Sequence, residues 1–166
     1  INRIWIIGAS GSGKSTLAKR LSKKLKIEHY NLDDVYWKRR YDKKRSFQEK
    51  KKLMNKIAKR KKWIIEGVYH DFTKNAFRKS DLVIILNIPF YKLAWRIYRR
   101  FVKRKGKFKE SFADMLKLIK FARSYKKNKK EKSIHTKHID RINKHRLNFI
   151  IVSYKKEINC LIGRLI

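Results

Sequence analysis

The sequence predicts an α/β protein, a three-layer sandwich with helices on both faces of a five-stranded parallel sheet, and three observations predict it. Short, near-continuous apolar runs recur along the chain, as strands covered on both faces require. Segments with apolar residues at helical spacing separate them. Between the first such run and the first helical period stands Gly8-Ala9-Ser10-Gly11-Ser12-Gly13-Lys14-Ser15. With 166 residues, the chain fits one domain with one core.

The opening strand is expected at Arg3 to Gly8, and the helix after it runs from Lys14 to Leu25, with Leu17, Ala18, Leu21 and Leu25 on one face. A short, weakly patterned strand follows at Ile27 to Leu32. Ser46-Phe47-Gln48-Glu49 reads as a capping box, because the serine hydroxyl and the glutamate carboxylate each satisfy an orphan amide of the other. The helix it opens buries Leu53, Met54, Ile57 and Ala58. Trp63 to Glu66 and Leu82 to Ile88 are the third and fourth strands. After Pro89, the stripe Leu93, Ala94, Ile97 and Phe101 predicts a helix, and Phe112, Met115, Leu118, Ile119 and Ala122 predict another. Leu147 to Val152 supplies the fifth strand. Ile158, Leu161, Ile162 and Leu165 close the chain on a last helix, with Cys160 among them read as core. Gly106 and the stretch Lys126 to Lys137 mark connections, the latter extending a helix into solvent.

Gly8-x-x-x-x-Gly13-Lys14-Ser15 has the full spacing of a phosphate-binding P-loop, with a strand before it and a helix after it. Gly8, Gly11 and Gly13 let main-chain amides turn inward and approach phosphates closely. The loop residues Ser10 and Ser12 belong to the same cradle. The helix beginning near Lys14 aims the positive end of its dipole at the bound anion. Lys14 reaches the β and γ oxygens, the Ser15 hydroxyl holds Mg²⁺, and Thr16 supports the helix start or the α-phosphate. ATP and Mg²⁺ are therefore the expected cofactors.

Such a loop needs an acidic partner for the metal. Glu66 ends a strand at the carboxyl edge of the sheet, beside the ligand crevice of an open α/β fold. Asp33 and Asp34 follow the second strand toward the same edge. Either they cap a helix, or one of them orients an acceptor hydroxyl and accepts its proton. Asp81 precedes its strand and belongs at the opposite edge, and Asp71 is a weaker candidate. Cations around a migrating phosphoryl group would come from Arg96, Arg99, Arg100 and Arg104, with Arg123 on the next helix; Arg96 and Arg100 share a face at i, i+4. Tyr36 and Trp37 either stack an acceptor ring or roof the sheet.

These blocks resemble the adenylate-kinase-like P-loop kinases, and in particular the topology modulation proteins. The resemblance is carried by the P-loop continuing as Ser15-Thr16-Leu17-Ala18, by Leu32-Asp33-Asp34-Val35-Tyr36-Trp37-Lys38, and by Trp63-Ile64-Ile65-Glu66-Gly67-Val68-Tyr69. Asp81 to Pro89, leading into the arginine helix, and Asn148 to Ser153 complete it, so it spans nearly the whole chain. It implies a P-loop NTPase fold with strand order 2-3-1-4-5, and a small helical lid region over about residues 99–137 of a single 1–166 domain. It also implies that Asp33 faces the acceptor pocket and that Glu66 stands for an acidic residue near Mg²⁺. Arg96 and Arg100 would match lid-hinge arginines, and Ser153 and Tyr154 would lie near the adenine. The chain departs from the pattern in three places. Glu66 stands where Asp is usual, Val68 stands where Asn is common, and Asp71 and Ala76 occupy a stretch where arginines are expected, with Lys74 and Arg78 nearby.

Charge sets the remaining expectations. Forty-eight basic residues against 13 acids give a net charge of +35. Such a field attracts polyanions, including nucleotides and nucleic acid. The basic residues are nevertheless spread along the chain, and the 33 lysines outnumber the 15 arginines. Lysine-biased composition plus nucleotide attraction accounts for this better than a dedicated nucleic-acid reader, since no reader motif accompanies the charge. His135, His138 and His145 lie in a lysine-rich stretch and read as solvent-exposed rather than as a metal site. A lone cysteine excludes an intrachain disulfide, no apolar run is long enough to span a bilayer, and no signal-peptide pattern opens the chain. A cytoplasmic protein is expected. The leading function is a Mg-ATP-dependent phosphotransferase with a small nucleoside- or hydroxyl-bearing acceptor. The competing one is a nucleic-acid-associated ATP-binding protein, and a third is a nucleotide-binding module without transfer chemistry.

Overall fold

The structure, a computed structural model, describes residues 1–39, 43–104, 111–125, 133–153 and 155–164. Gly106, Tyr154, Leu165, residues 126–132 and the side chain of Arg104 lie outside the described residues.

Strand β1 (Arg3–Gly8) sits at the centre of a five-stranded parallel sheet completed by β2 (His29–Asn31), β5 (Trp63–Glu66), β6 (Leu82–Leu86) and β7 (Phe149–Val152). The order is β2-β5-β1-β6-β7, which is 2-3-1-4-5 when only the sheet strands are counted. A separate antiparallel pair, β3 (Trp37–Arg39) and β4 (Lys43–Lys44), follows the short helix α2 (Leu32–Tyr36). The second strand is shorter than expected because the Asn31 side chain caps α2, accepting from the Asp33 amide at 2.8 Å and drawing Leu32 into the helix.

The two-residue alternation of a strand divides β1 between two cores. Ile4 and Ile6 pack with Leu17 and Leu21 of α1 (Lys14–Leu25), Leu93 and Ile97 of α5 (Phe90–Arg104), Met115 of α6 (Phe112–Ser124) and Leu161 of α8 (Lys155–Arg164). Trp5 and Ile7 point the other way. There they meet Val35 of α2, Met54 and Ile57 of α3 (Phe47–Ala58), Phe77 of α4 (Lys74–Arg78) and Ile142 of α7 (Ile134–Lys144). Trp5 meets Trp63 and Phe77 edge to face, at ring-centroid distances of 6.0 and 5.2 Å, a favoured geometry for buried aromatic pairs. Helices thus cover both faces of the sheet over β1, β5 and β6, as their apolar runs predict, but the edge strand β7 leaves Phe149, Ile150 and Ile151 exposed despite its apolar run.

Several caps form as read from the sequence, and others were not legible. The Ser46–Glu49 capping box is present, and Ser111 with Asp114 makes a second at the start of α6. Ser133 caps α7, so residues 133–137 open a new helix and do not prolong the previous one. Three expected core positions are instead exposed: Leu53 on α3, Phe112 on α6 and Cys160 on α8. Each lies at the edge of its helix's packed stripe or outside it, where Met54 and Ile57, Met115, and Leu161 and Ile162 respectively do the packing. Asp81 accepts from the amides of Asn2 and Arg3 at 2.8 and 2.9 Å, which ties the start of β1 at the sheet edge opposite the P-loop. Among the described residues, no helix is long and apolar enough to cross a membrane.

Candidate nucleotide and acceptor site

The carboxyl ends of the five strands open into one cavity of about 990 Å³. This is where an open parallel sheet places its ligands, on either side of the strand at which the order reverses. Ser10, Gly11, Ser12, Gly13, Lys14, Ser15 and Thr16 line its floor, while Gly8 lies beneath as a buried end of β1. Gly13 caps α1 with φ 97°, a left-handed conformation that favours glycine.

The Lys14 ammonium turns back on its own loop, donating to the carbonyls of Gly8 at 2.9 Å and Ala9 at 3.0 Å. Its enclosure lowers its pKa, opposed by the nearby Glu66 and Asp33 carboxylates. Arg96 reaches across from α5 and donates to the Ser12 carbonyl at 3.2 Å and the Gly11 carbonyl at 3.4 Å. Arg100, one turn further, lines the same cavity, whereas Arg99 and Arg123 point to solvent.

Glu66 is only 2% exposed. Burial pushes its carboxyl upward, but the adjoining His29 and Ser15 side chains and the Lys14 ammonium outweigh that and hold it below the usual carboxylate range. His29 Nε2 stands 3.8 Å from Glu66 Oε1, and neither atom has a hydrogen-bond partner. A buried carboxylate oxygen left unpartnered beside a serine hydroxyl is a donor set that suits a hard divalent cation such as Mg²⁺. Ser15 and Glu66 therefore fit the metal the P-loop implies. Sequence reasoning missed His29, whose only signal was its place two residues before the end of a strand paired with β5.

On the β2–β5 side of the P-loop lie Asp33, Trp37, Val68, Tyr69, His70 and Asp71. Of the two adjacent acids, Asp33 faces the cavity and Asp34 is exposed. Tyr69, which sequence reasoning gave no role, donates its hydroxyl to Asp33 Oδ1 at 3.0 Å. Burial, and then the Asp33 carboxylate, raise the pKa of that phenol well above its ordinary value. Tyr36 stacks on Tyr69 at 4.5 Å and packs against the core on that face of the sheet, while Trp37 lines the cavity. On the β6–β7 side, Ser153 lines the cavity together with the apolar Leu118, Phe121, Ile134 and Ile158.

Behind the acceptor side lies a polar cluster. His138, taken from sequence as solvent-exposed, is 1% exposed and stacks on His70 with ring centroids 4.1 Å apart. Arg141 meets His70 Nδ1 at 3.1 Å, donates to Thr73 Oγ1 at 3.3 Å, and lies over the Phe77 ring. Burial lowers the pKa of His70 to about 4, with the Arg141 charge adding to it. His138 is likewise held well below its ordinary value, by burial first and then by His70 and Arg141, with the Val68 main chain opposing. Both rings are neutral near pH 7.

This sheet, loop and edge cavity define a P-loop nucleotide-binding fold of the adenylate-kinase-like type. Residues 4–116 match the sequence profile of the AAA domain family, and the chain belongs to that family. An uncharacterised Bacillus subtilis (strain 168) protein, YqaC, is 38% identical over 104 residues, which is 62% of this chain. The match spans 58% of that relative's length. Among solved structures, shikimate kinase from Acinetobacter baumannii in complex with shikimate superposes with a TM-score of 0.59 at 14% identity, covering 99% of this chain and 90% of that one. Shikimate kinase from Bacteroides thetaiotaomicron gives 0.54 at 16%, covering 99% and 96%. At these identities the likeness is one of fold.

Proposed function

We propose that the protein is a Mg-ATP-dependent kinase that passes the γ-phosphoryl group of ATP to a hydroxyl of a small nucleoside- or hydroxyl-bearing acceptor. The observation that carries this is the one cavity lined both by the P-loop, after β1, and by the Asp33–Tyr69 pair, which follows β2 and β5. A binding module would need only the first half. The kinase names of the structural relatives point the same way.

Each role follows from position. The loop amides and Lys14 grip the triphosphate, with Lys14 leaving the Gly8 and Ala9 carbonyls for phosphate oxygens. Arg96 and Arg100 place positive charge where it builds up on the migrating group. Ser15 and Glu66 would hold Mg²⁺, which would supply charge neutralisation to the phosphates. Asp33 orients the acceptor hydroxyl and takes its proton as the acceptor oxygen bonds to the γ-phosphorus. The bond from that phosphorus to the β–γ bridging oxygen breaks, and ADP departs. Much of the catalysis is positioning. The Ser153 end of the cavity, with its apolar lining, takes the base, and the end of α5 with α6 and the start of α7 serves as the lid.

ATP turnover against a panel of nucleoside monophosphates and small alcohols tests this. A kinase shows one class of acceptor accelerating ADP release. ATP binding with no acceleration by any of them would reduce the protein to a nucleotide-binding module, in keeping with Val68, Asp71 and Ala76.

A further inference from the structure

Helix α5 buries one face and leaves another uncovered. Leu93 and Ile97 pack into the core, and Arg96 and Arg100 turn toward the cavity. On the far side, Tyr91, Trp95 and Tyr98 are 67%, 61% and 47% exposed. Their spacing of four and then three residues stacks them in one narrow row along the helix. Trp95 and Tyr98 have ring centroids 5.9 Å apart and an interplanar angle of 32°. Large rings left in water in a regular row are not accounted for by the fold, since a helix ordinarily turns its polar face outward.

Lys92, Arg99 and Lys103 run along one flank of this row at i, i+7 and i+11. Lys92 also lines the cavity, and its ammonium lies 5.8 Å from the Tyr91 ring centroid. Turning round the helix, the surface thus passes from aromatic rings to a row of cations to the arginines of the cavity. A row of exposed rings beside a continuous cationic track is the combination that binds single-stranded nucleic acid: bases stack on the rings, and phosphates follow the charge. Duplex DNA keeps its bases stacked on each other and cannot use the rings. A second copy of this chain would bring another +35 to the same surface, and self-association there is opposed.

We propose that the outer face of α5 is a binding surface for single-stranded nucleic acid, with Trp95 and Tyr98 as base-stacking platforms and Lys92, Arg99 and Lys103 as the phosphate track. This surface does not depend on the transfer chemistry and stands whether or not the cavity holds a kinase. An anionic bilayer is the competing occupant, since Phe112 and Leu116 of α6 also expose apolar surface. The row favours nucleic acid, because flat ring faces flanked by a cation track receive bases and phosphates together, whereas Val102, 49% exposed on the same row, is the aliphatic surface a bilayer would use.

The experiment is fluorescence anisotropy with labelled oligo-dT of about 20 nucleotides, its duplex with oligo-dA, and phosphatidylglycerol vesicles as competitor, over a range of salt. Oligo-dT is expected to bind more tightly than the duplex. A variant combining Trp95→Ala and Tyr98→Ala should lose about tenfold or more in affinity at fixed salt, the effect of losing stacking contacts, with its salt slope unchanged. Trp95→Phe, which keeps a ring, should retain most of the binding. Lys51→Ala with Lys52→Ala on exposed α3 controls for charge alone and should preserve the preference for the single strand. A readout needing no variant is acrylamide quenching of Trp95, the most exposed of the described tryptophans, which should fall when oligo-dT binds. Equal binding of duplex and single strand would overturn the proposal, as would an aromatic double variant matching the wild type. Vesicle binding that oligo-dT cannot displace would assign the surface to a membrane instead.

Discussion

Tyr69 donates its hydroxyl to Asp33 Oδ1 across 3.0 Å, joining the loop after β5 to the helix after β2 at the mouth of the cavity. The bond holds the Asp33 carboxylate in one orientation and leaves its other oxygen to meet a ligand. Asp33→Asn should therefore preserve the thermal shift produced by ATP while slowing transfer by about 10²- to 10⁴-fold, the usual worth of a positioned acid or base. Tyr69→Phe should slow it by about tenfold, consistent with one hydrogen bond to a charged group. Steady-state kinetics with the accelerating acceptor checks both. Unchanged turnover in Asp33→Asn removes this residue from the acceptor site.

Lys14→Ala should abolish triphosphate binding. In differential scanning fluorimetry, ATP at a hundred times its dissociation constant stabilises a protein by about 2.7 kcal/mol. That shift should be present in the wild type and absent in the variant. A variant that still binds and turns over ATP would refute the role given to this lysine.

Gly67 has φ 145°, and a Cβ built on it would stand 2.6 Å from the Cβ of Leu32. Gly67→Ala should destabilise the fold by about 1–3 kcal/mol through overpacking, read as a lower midpoint in urea denaturation. The substitution also sits beside Glu66, so nucleotide-dependent stabilisation should weaken with it.

The His70–His138 stack makes stability depend on pH with a definite sign. Both rings are held neutral when folded, His70 with a pKa of about 4, whereas in the unfolded chain they titrate near 6.5. The unfolded state binds more protons below that value, so the stabilising contribution is complete above about pH 6.5 and is lost as pH falls toward 4. Arg141 and Lys137 add to the effect, and Asp71 opposes it at His70. Melting temperatures measured from pH 7.5 to 4.5 should fall steadily below pH 6.5. His138→Phe, which keeps a ring against His70, should flatten that slope; an unaltered slope would place the titration elsewhere.

The sheet and the P-loop were legible because both are local in sequence. A strand such as Leu82-Val83-Ile84-Ile85-Leu86 is apolar at every position, and Gly8 to Ser15 has fixed spacing. Asp33 and Glu66 follow from which strand ends share an edge, Arg96 and Arg100 from their i, i+4 spacing after Pro89, and Ser153 from the family resemblance alone; all five line one cavity. What was missed depends on docking between distant segments. His70 and His138 are 68 positions apart, and nothing in Ser133-Ile134-His135-Thr136-Lys137-His138 tells which side of the helix meets the sheet. Cys160 directly precedes the buried Leu161 and Ile162 yet faces outward, because neighbours on a helix point about 100° apart. Tyr69 looked like a residue of a loop. Only the fold brings it to Asp33.

The posture of Lys14 has a consequence for selectivity. Two of its three N–H donors are held by carbonyls of its own loop, so a visiting anion meets one open donor and competes with main-chain oxygens for the other two. A polyphosphate tail brings several charged oxygens at once and engages the loop amides together with the side chain. On a surface carrying +35, where small anions gather everywhere, the two carbonyl contacts should make single anions weaker competitors at the cradle than a chain of phosphates, a difference that inhibition by chloride, phosphate and tripolyphosphate would read.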